Sequence, residues 1–220
     1  MCRVREDVAA IRDRDPAAGG TLDVLLFYPG MTAVWTHRVA HALWRRNRRF
    51  GARALSHLVR LLTAVEIHPG AELGRRVTID HGAGVVVGET AELGDDVHLY
   101  HGVTLGANRP QPGKRHPTVE ANVVLGANST VVGSVTVGER AVVGAGAVVT
   151  DDVPAGATMV GNPAERVDGV RAVADDGEGG AVGGAATADA DGTDVGGADA
   201  DGAGVDDDAD SASRAPFRCS

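Results

Sequence analysis

Cysteine is nearly absent from this chain. Cys2 and Cys219 stand at opposite ends of the 220 residues, so no disulfide framework and no thiolate metal site is available, and a reducing compartment is expected. No apolar run approaches the roughly 20 residues that a membrane-spanning helix needs. The opening Met1-Cys2-Arg3-Val4-Arg5-Glu6-Asp7-Val8 lacks the apolar core of a secretory signal. A soluble, cytoplasmic protein without a membrane partner is therefore expected. Lys114 is the only lysine, and residues 1–170 carry as many acids as bases, so the body as a whole has no net positive charge. The cluster Arg45, Arg46, Arg48 and Arg49 reads as a solvated helix face or loop, and no nucleic-acid partner is expected.

Acidic residues are plentiful in one place. From Arg171 onward twelve acids face three bases, a net charge of −9 that equals the net charge of the whole chain. Residues 1–170 are therefore formally neutral. The acidic segment is rich in Gly, Ala and Asp and has too little apolar surface to offset the entropy of ordering, so residues 168–220 are expected to form a disordered, solvating tail.

The first 64 residues carry helical spacing, as in Val34, Val39, Leu43 and Leu55, Leu58, Leu62. Breaks fall at Asp15-Pro16, Gly19-Gly20, Pro29-Gly30 and Gly51, which predicts three or four helices over 1–64. From Ile67 an aliphatic or small residue recurs every six positions: Ile67, Leu73, Ile79, Val85, Ala91, Val97 and Val103. After an interruption the series resumes at Val119, Leu125, Val131, Val137, Val143 and Val149. This is the hexapeptide pattern of a parallel β-helix, in which each hexapeptide gives one strand and one corner of a triangular coil. Residues 65–167 are expected to form about four coils, with Ile67, Val85 and Val103 in one inner column and small residues at the corners. The interruption, 104–118, contains Gly106, Pro110, Pro112 and Gly113 and is expected to protrude as a loop that carries Arg115 and His116.

Three histidines, His68, His81 and His116, lie in or beside the repeat among polar residues. Acyl transfer to an alcohol needs a base of near-neutral pKa, a need that imidazole meets. His81 occupies a corner, and Glu66 lies fifteen residues upstream, almost one coil, where its carboxylate is expected beside the imidazole to fix the tautomer.

Several segments resemble serine O-acetyltransferases in order and spacing: Glu66-Ile67-His68-Pro69-Gly70-Ala71, Asp80-His81, Gly84-Val85-Val86-Val87-Gly88-Glu89-Thr90, Gly102-Val103-Thr104-Leu105-Gly106 and Arg115-His116-Pro117. In the helical part, Arg14-Asp15-Pro16-Ala17 resembles the family's short motif, and the likeness covers roughly residues 5–167. It implies a left-handed β-helix, acetyl-CoA as co-substrate, L-serine as acceptor and no metal. It further implies that His81 is the general base with Glu66 as its dyad partner, where the family often has Asp. Asp15 and Asp80 would hold the serine ammonium, Arg115 its carboxylate, and His116 would contact the substrate beside them. Two acids and one guanidinium suit the two charges of an amino acid. Backbone N–H groups at Gly106 and Ala107 would stabilise the oxyanion, Ala107 standing where the family has a second glycine. Ala127 and Ala145, stacked eighteen apart, would line the path of the pantetheine arm. No nucleophilic Cys is suitably placed, so direct attack of the serine hydroxyl on the thioester is expected.

The resemblance also implies a homotrimer in which the projecting loop reaches the adjacent chain's His81. With fourteen residues ahead of Asp15 a trimer is expected, and pairing of trimers into a hexamer stays open. The family's complex with O-acetylserine sulfhydrylase uses a C-terminal isoleucine; this chain ends Phe217-Arg218-Cys219-Ser220, so that complex is not expected. Three other readings stand beside this one. They are a hexapeptide acetyltransferase for homoserine, a sugar or a xenobiotic, a γ-type zinc carbonic anhydrase using His81 and His116, and a β-helix scaffold without activity.

Overall fold

A computed structural model describes residues 2–167. The expected acidic tail lies outside the described residues. Four helices come first: α1 (Cys2–Arg14), α2 (Thr21–Phe27), α3 (Pro29–Arg45) and α4 (Arg49–Thr63). Asn47, in the left-handed conformation at φ 59°, lies in the turn between α3 and α4. Gly51, expected to break a helix, sits inside the first turn of α4, where a missing side chain is tolerated because few intrahelical bonds depend on it. The spacing also overstated the core. Val34 is buried, whereas Val39, Leu58 and Leu62 are exposed; α4 turns Ala52, Val59 and Thr63 inward and leaves Leu58, Leu61 and Leu62 on its outer side.

The rest winds as a left-handed parallel β-helix with three faces. The first holds β1 (Glu66–Ile67), β4 (Val86–Val87), β7 (Thr104–Gly106), β10 (Thr130–Val132) and β13 (Val148–Val149). The second holds β2 (Glu72–Leu73), β5 (Glu92–Leu93), β8 (Thr118–Val119) and β11 (Thr136–Val137). The third holds β3 (Thr78–Ile79), β6 (His98–Leu99), β9 (Val124–Leu125), β12 (Val142–Val143) and β14 (Thr158–Val160), closed by antiparallel β15 (Glu165–Val167). The second residue of most strands points inward: Ile67, Val87, Leu105, Val131 and Val149 stack down the first face, each at most 4% exposed. Their burial supplies the main driving force for a fold made of very short strands.

The inner column differs from the expected one. Ile67 pairs with Val87, twenty residues on, and not with Val85. The step from Ile79 to Val87 spans eight residues instead of six, so the register slips by two at the corner holding Asp80 and His81. Val85, Ala91, Val97 and Val103 are still fully buried, but they sit in the connections ahead of the strands. The apparent six-residue period hid this slip because both inward positions of each repeat are small or aliphatic. The next step, Leu105 to Val119, is correspondingly eight longer than six, so the ten surplus residues assigned to one loop divide between the His81 corner and the loop. Small residues also do not turn every corner. Between the second and third faces, Arg76, Asp96, Asn122 and Arg140 take φ of 52–60°.

The helices sit on the first coils. Arg14 closes α1 by donating to Thr78 Oγ1 at 3.1 Å and to the Asp96 carbonyl at 3.2 Å. The start of α3 lies so close to β3 that a Cβ on Gly30 would stand 2.1 Å from the Ile79 carbonyl oxygen, which only glycine permits. Farther along, Ser56 of α4 donates to the Ile67 carbonyl at 2.7 Å. These contacts bring the loop after α1 and the first residues of α3 to the His81 corner.

Candidate active site

Two polar corners border the first face. At the corner where the third face turns into the first, His81 takes φ 57°, an unusual conformation for a residue with a Cβ, and its side chain is 77% exposed. Its Nε2 stands 3.9 Å from Asp80 Oδ2, and its ring meets that of His101, one coil below, edge-on at 6.1 Å. Asp15 arrives from the loop after α1. Its Oδ1 accepts from the Ala17 N–H at 2.8 Å and its Oδ2 from the Tyr28 hydroxyl. Those two bonds, the Tyr28 bond foremost, hold the Asp15 carboxyl below the usual carboxylate range, and His81 adds to the effect. Tyr28 is pushed up to about 12 by the same bond, with Asp15, Asp23 and Asp80 opposing its ionisation. Asp15, Asp80, Tyr28 and His81 thus form an acidic pocket around an exposed imidazole.

Below His81 the same corner continues through Ala127 and Ala145. Their stacking is visible in the backbone, where Gly146 N–H donates to the Ala127 carbonyl at 2.8 Å and Asn128 N–H to the His101 carbonyl at 2.8 Å. Below His101, then, this corner carries the small residues Ala127 and Ala145.

At the corner where the first face turns into the second, cationic groups are balanced by carboxylates. Arg115 is ion-paired with Glu89, and Thr90 Oγ1 accepts from the Arg115 and His116 N–H groups at 3.0 and 3.2 Å. The Thr90 N–H donates to His116 Nδ1 at 3.2 Å, so the neutral ring carries its proton on Nε2 and is a donor there. Burial pushes the His116 pKa down and favours that neutral form. Gly88 makes room for the ring, since a Cβ would lie 1.9 Å from His116 Cδ2. Gly106 ends β7 and Ala107 follows it on the way to this corner; Ala107 is not among the residues with positive φ. Burial also lowers the pKa of His68, whose Nδ1 accepts from the Gly70 N–H at 3.0 Å.

Within one chain the expected site residues therefore fall into two groups. The structure brings Asp15, Asp80 and His81 together, and it brings Arg115 and His116 together, but the two sets occupy different corners. Glu66 stands between them on the outer side of β1, its Oε2 3.2 Å from Arg60 Nε. Among the described residues the carboxylate within ion-pair distance of His81 is that of Asp80, not Glu66. The fifteen-residue spacing fell short because a coil here takes twenty residues, which sets Glu66 opposite Val86. Tyr28, Glu89 and Thr90 had no role in the sequence reading. The two-residue slip ahead of Val87 was the signal that could have marked the corner as special. Among the described residues no group of three or more His, Cys, Asp or Glu side chains is placed to hold a metal ion, and no helix is long and apolar enough to cross a membrane.

Comparison with known proteins fits this geometry. Residues 118–151 match the family described as the hexapeptide repeat of succinyl-transferase. Serine acetyltransferase from Mycobacterium tuberculosis is 54% identical over 167 residues, which cover 76% of this chain and 73% of the relative. The chain belongs to the serine acetyltransferase family. Among solved structures of the family, that of the Neisseria gonorrhoeae serine acetyltransferase in complex with serine superposes with a TM-score of 0.73 at 40% identity, covering 76% of this chain and 68% of that one. The Brucella abortus serine acetyltransferase in complex with coenzyme A gives a TM-score of 0.74 at 38% identity, with 76% and 66% covered.

Proposed function

We infer that this chain is an acetyl-CoA-dependent serine O-acetyltransferase, making O-acetyl-L-serine and CoA, and that its two corners are halves of one site completed between subunits of a homotrimer. The observation that carries the activity is the identity of about half the residues to serine acetyltransferases over three quarters of the chain. The Neisseria relative held with serine and the Brucella relative held with coenzyme A support the two substrates.

The shared site is supported by complementarity. One corner is acidic and fits an ammonium; the other offers a guanidinium and a neutral donor and fits a carboxylate. A free serine needs both, and a single chain keeps them apart. Apolar surface available for subunit contact is present, since Leu58, Leu61 and Leu62 on α4 are 53%, 70% and 75% exposed and Val86 on β4, in the first face, is exposed as well. A threefold assembly that covers this face sets one subunit's Arg115 corner against its neighbour's His81 corner.

In that site Asp15 and Asp80 bind the serine ammonium, while Arg115 and His116 bind its carboxylate. His81 takes the proton from serine Oγ as the oxygen bonds to the thioester carbon. The oxyanion is met by the N–H groups of Gly106 and Ala107. Its collapse breaks the C–S bond, and the imidazolium returns the proton to the departing thiolate. The pantetheine arm follows the Ala127 and Ala145 corner. Glu66 acts on His81 only where its carboxylate exchanges Arg60 for the imidazole.

The test is an acceptor panel read by CoA release. Serine is expected to exceed homoserine and galactosides by at least about tenfold in kcat/KM, because their added bulk displaces the hydroxyl from a base fixed by the ammonium contacts. Preference for either competitor contradicts the reading.

A further inference from the structure

The acidic corner contains a residue that no step above uses. Tyr28 lies directly ahead of Pro29 at the start of α3, and that start is fixed on β3 by the close approach of Gly30 to Ile79. Its hydroxyl donates to Asp15 Oδ2. Asp15 itself stands in the partly exposed loop after α1, held on its other oxygen by one backbone N–H and anchored upstream by the Arg14 contacts to Thr78 and Asp96. Among the described residues, the Tyr28 hydroxyl is the hydrogen-bond partner that links the Asp15 side chain to the start of α3, which is itself fixed on the β-helix.

We propose that Tyr28 is a positioning residue for the acceptor's ammonium group: its hydroxyl holds the Asp15 carboxylate at the His81 corner, ionised and pre-aimed, so that serine binds a rigid acidic pocket. This rests on the reading of Asp15 as an ammonium ligand. Three carboxylates, Asp15, Asp23 and Asp80, bear on Tyr28, and the ordering of mutually repelling acids is the state that a bound ammonium relieves. A phenol suits the task because it donates one hydrogen bond and remains uncharged at neutral pH. Each Asp15 oxygen keeps a second acceptor site for the ammonium. The arrangement stabilises substrate binding without touching the reacting hydroxyl, so its signature belongs in serine KM and not in kcat.

The test is steady-state kinetics of Tyr28→Phe, Asp15→Asn and the double variant. The Phe variant keeps the ring in place, and its melting temperature confirms the fold. Loss of a hydrogen bond to a charged group is expected to raise serine KM by about tenfold, with kcat and the acetyl-CoA KM changed by less than about twofold. Since Tyr28 acts through Asp15, the double variant should be no worse toward serine than Asp15→Asn alone. A normal serine KM in Tyr28→Phe beside a raised one in Asp15→Asn overturns the proposal. So do additive losses, or equal losses for both substrates, which mark a general structural role. A normal serine KM in Asp15→Asn overturns instead the assignment of Asp15 on which the proposal rests.

Discussion

The two corners that flank the first face are built in opposite ways. The His81 corner is assembled from three distant segments, the loop after α1, the first residues of α3 and an enlarged β-helix turn, and it leaves its imidazole exposed. The Arg115 corner is internally satisfied: Glu89 neutralises the guanidinium, Thr90 caps two backbone N–H groups, and His116 is buried. On the assignment proposed above, one corner serves reaction and the other recognition. It follows that the His81 corner depends on the helices docking correctly, whereas the Arg115 corner is built by the coil and its loop alone.

Breaking each corner in turn should therefore give different kinetics. His81→Ala should lower kcat by roughly two to four orders of magnitude with little change in serine KM, since it removes the base and leaves both charge contacts in place. A normal turnover rate would remove His81 from the chemistry. Arg115→Ala should cost about a hundredfold in kcat/KM for serine through loss of a forked, charge-assisted contact, with the acetyl-CoA KM unchanged. Arg115→Lys should recover only part of that loss, because an ammonium cannot form the bidentate pair.

The smallest effect separates both corners from the framework that carries them. His37 in α3 and His98 in β6 are each pushed down to about 4 by burial. Their folded pKa lies below the unfolded value of 6.5, so protons bind the unfolded chain more tightly. The stability they permit is complete above pH 6.5 and is lost as pH falls toward 4, by on the order of 2 kcal/mol for each group. Urea unfolding at pH 7 and pH 5 should show a lower midpoint in acid, and His37→Leu should flatten that dependence. An unchanged slope in the variant would place the acid sensitivity elsewhere.

Much of this architecture is legible in the sequence because the β-helix is periodic. A strict inward position every six residues leaves little freedom, and Val119 through Val149 occupy the inner columns as their spacing implies. The slip between Ile79 and Val87 was hidden because Val85 and Val87 are both apolar and both buried, so the pattern read the same in either register. That one ambiguity also misplaced Glu66 relative to His81. The charged residues were legible as chemical types matching a zwitterion, but their division between two corners was only implied by the family resemblance, through a loop expected to reach the adjacent chain's His81, and was not readable from the spacing. Which corner a residue occupies depends on the count of residues in every preceding turn. Tyr28 escaped notice because nothing in its local pattern marks a phenol ahead of Pro29 as different from a core aromatic; only the fold sets it beside Asp15.

Mixing two impaired variants, assayed at low serine, tests the shared site most directly. His81→Ala and Arg115→Ala chains, co-expressed in equal amounts and purified together without sorting, each retain the corner that the other lacks. If one site draws on neighbouring subunits, random assembly leaves about a quarter of the sites with both corners intact, and about a quarter of the unmutated activity should return. No activity beyond that of the separate variants would mean that both corners serve within a single chain, and would contradict the account.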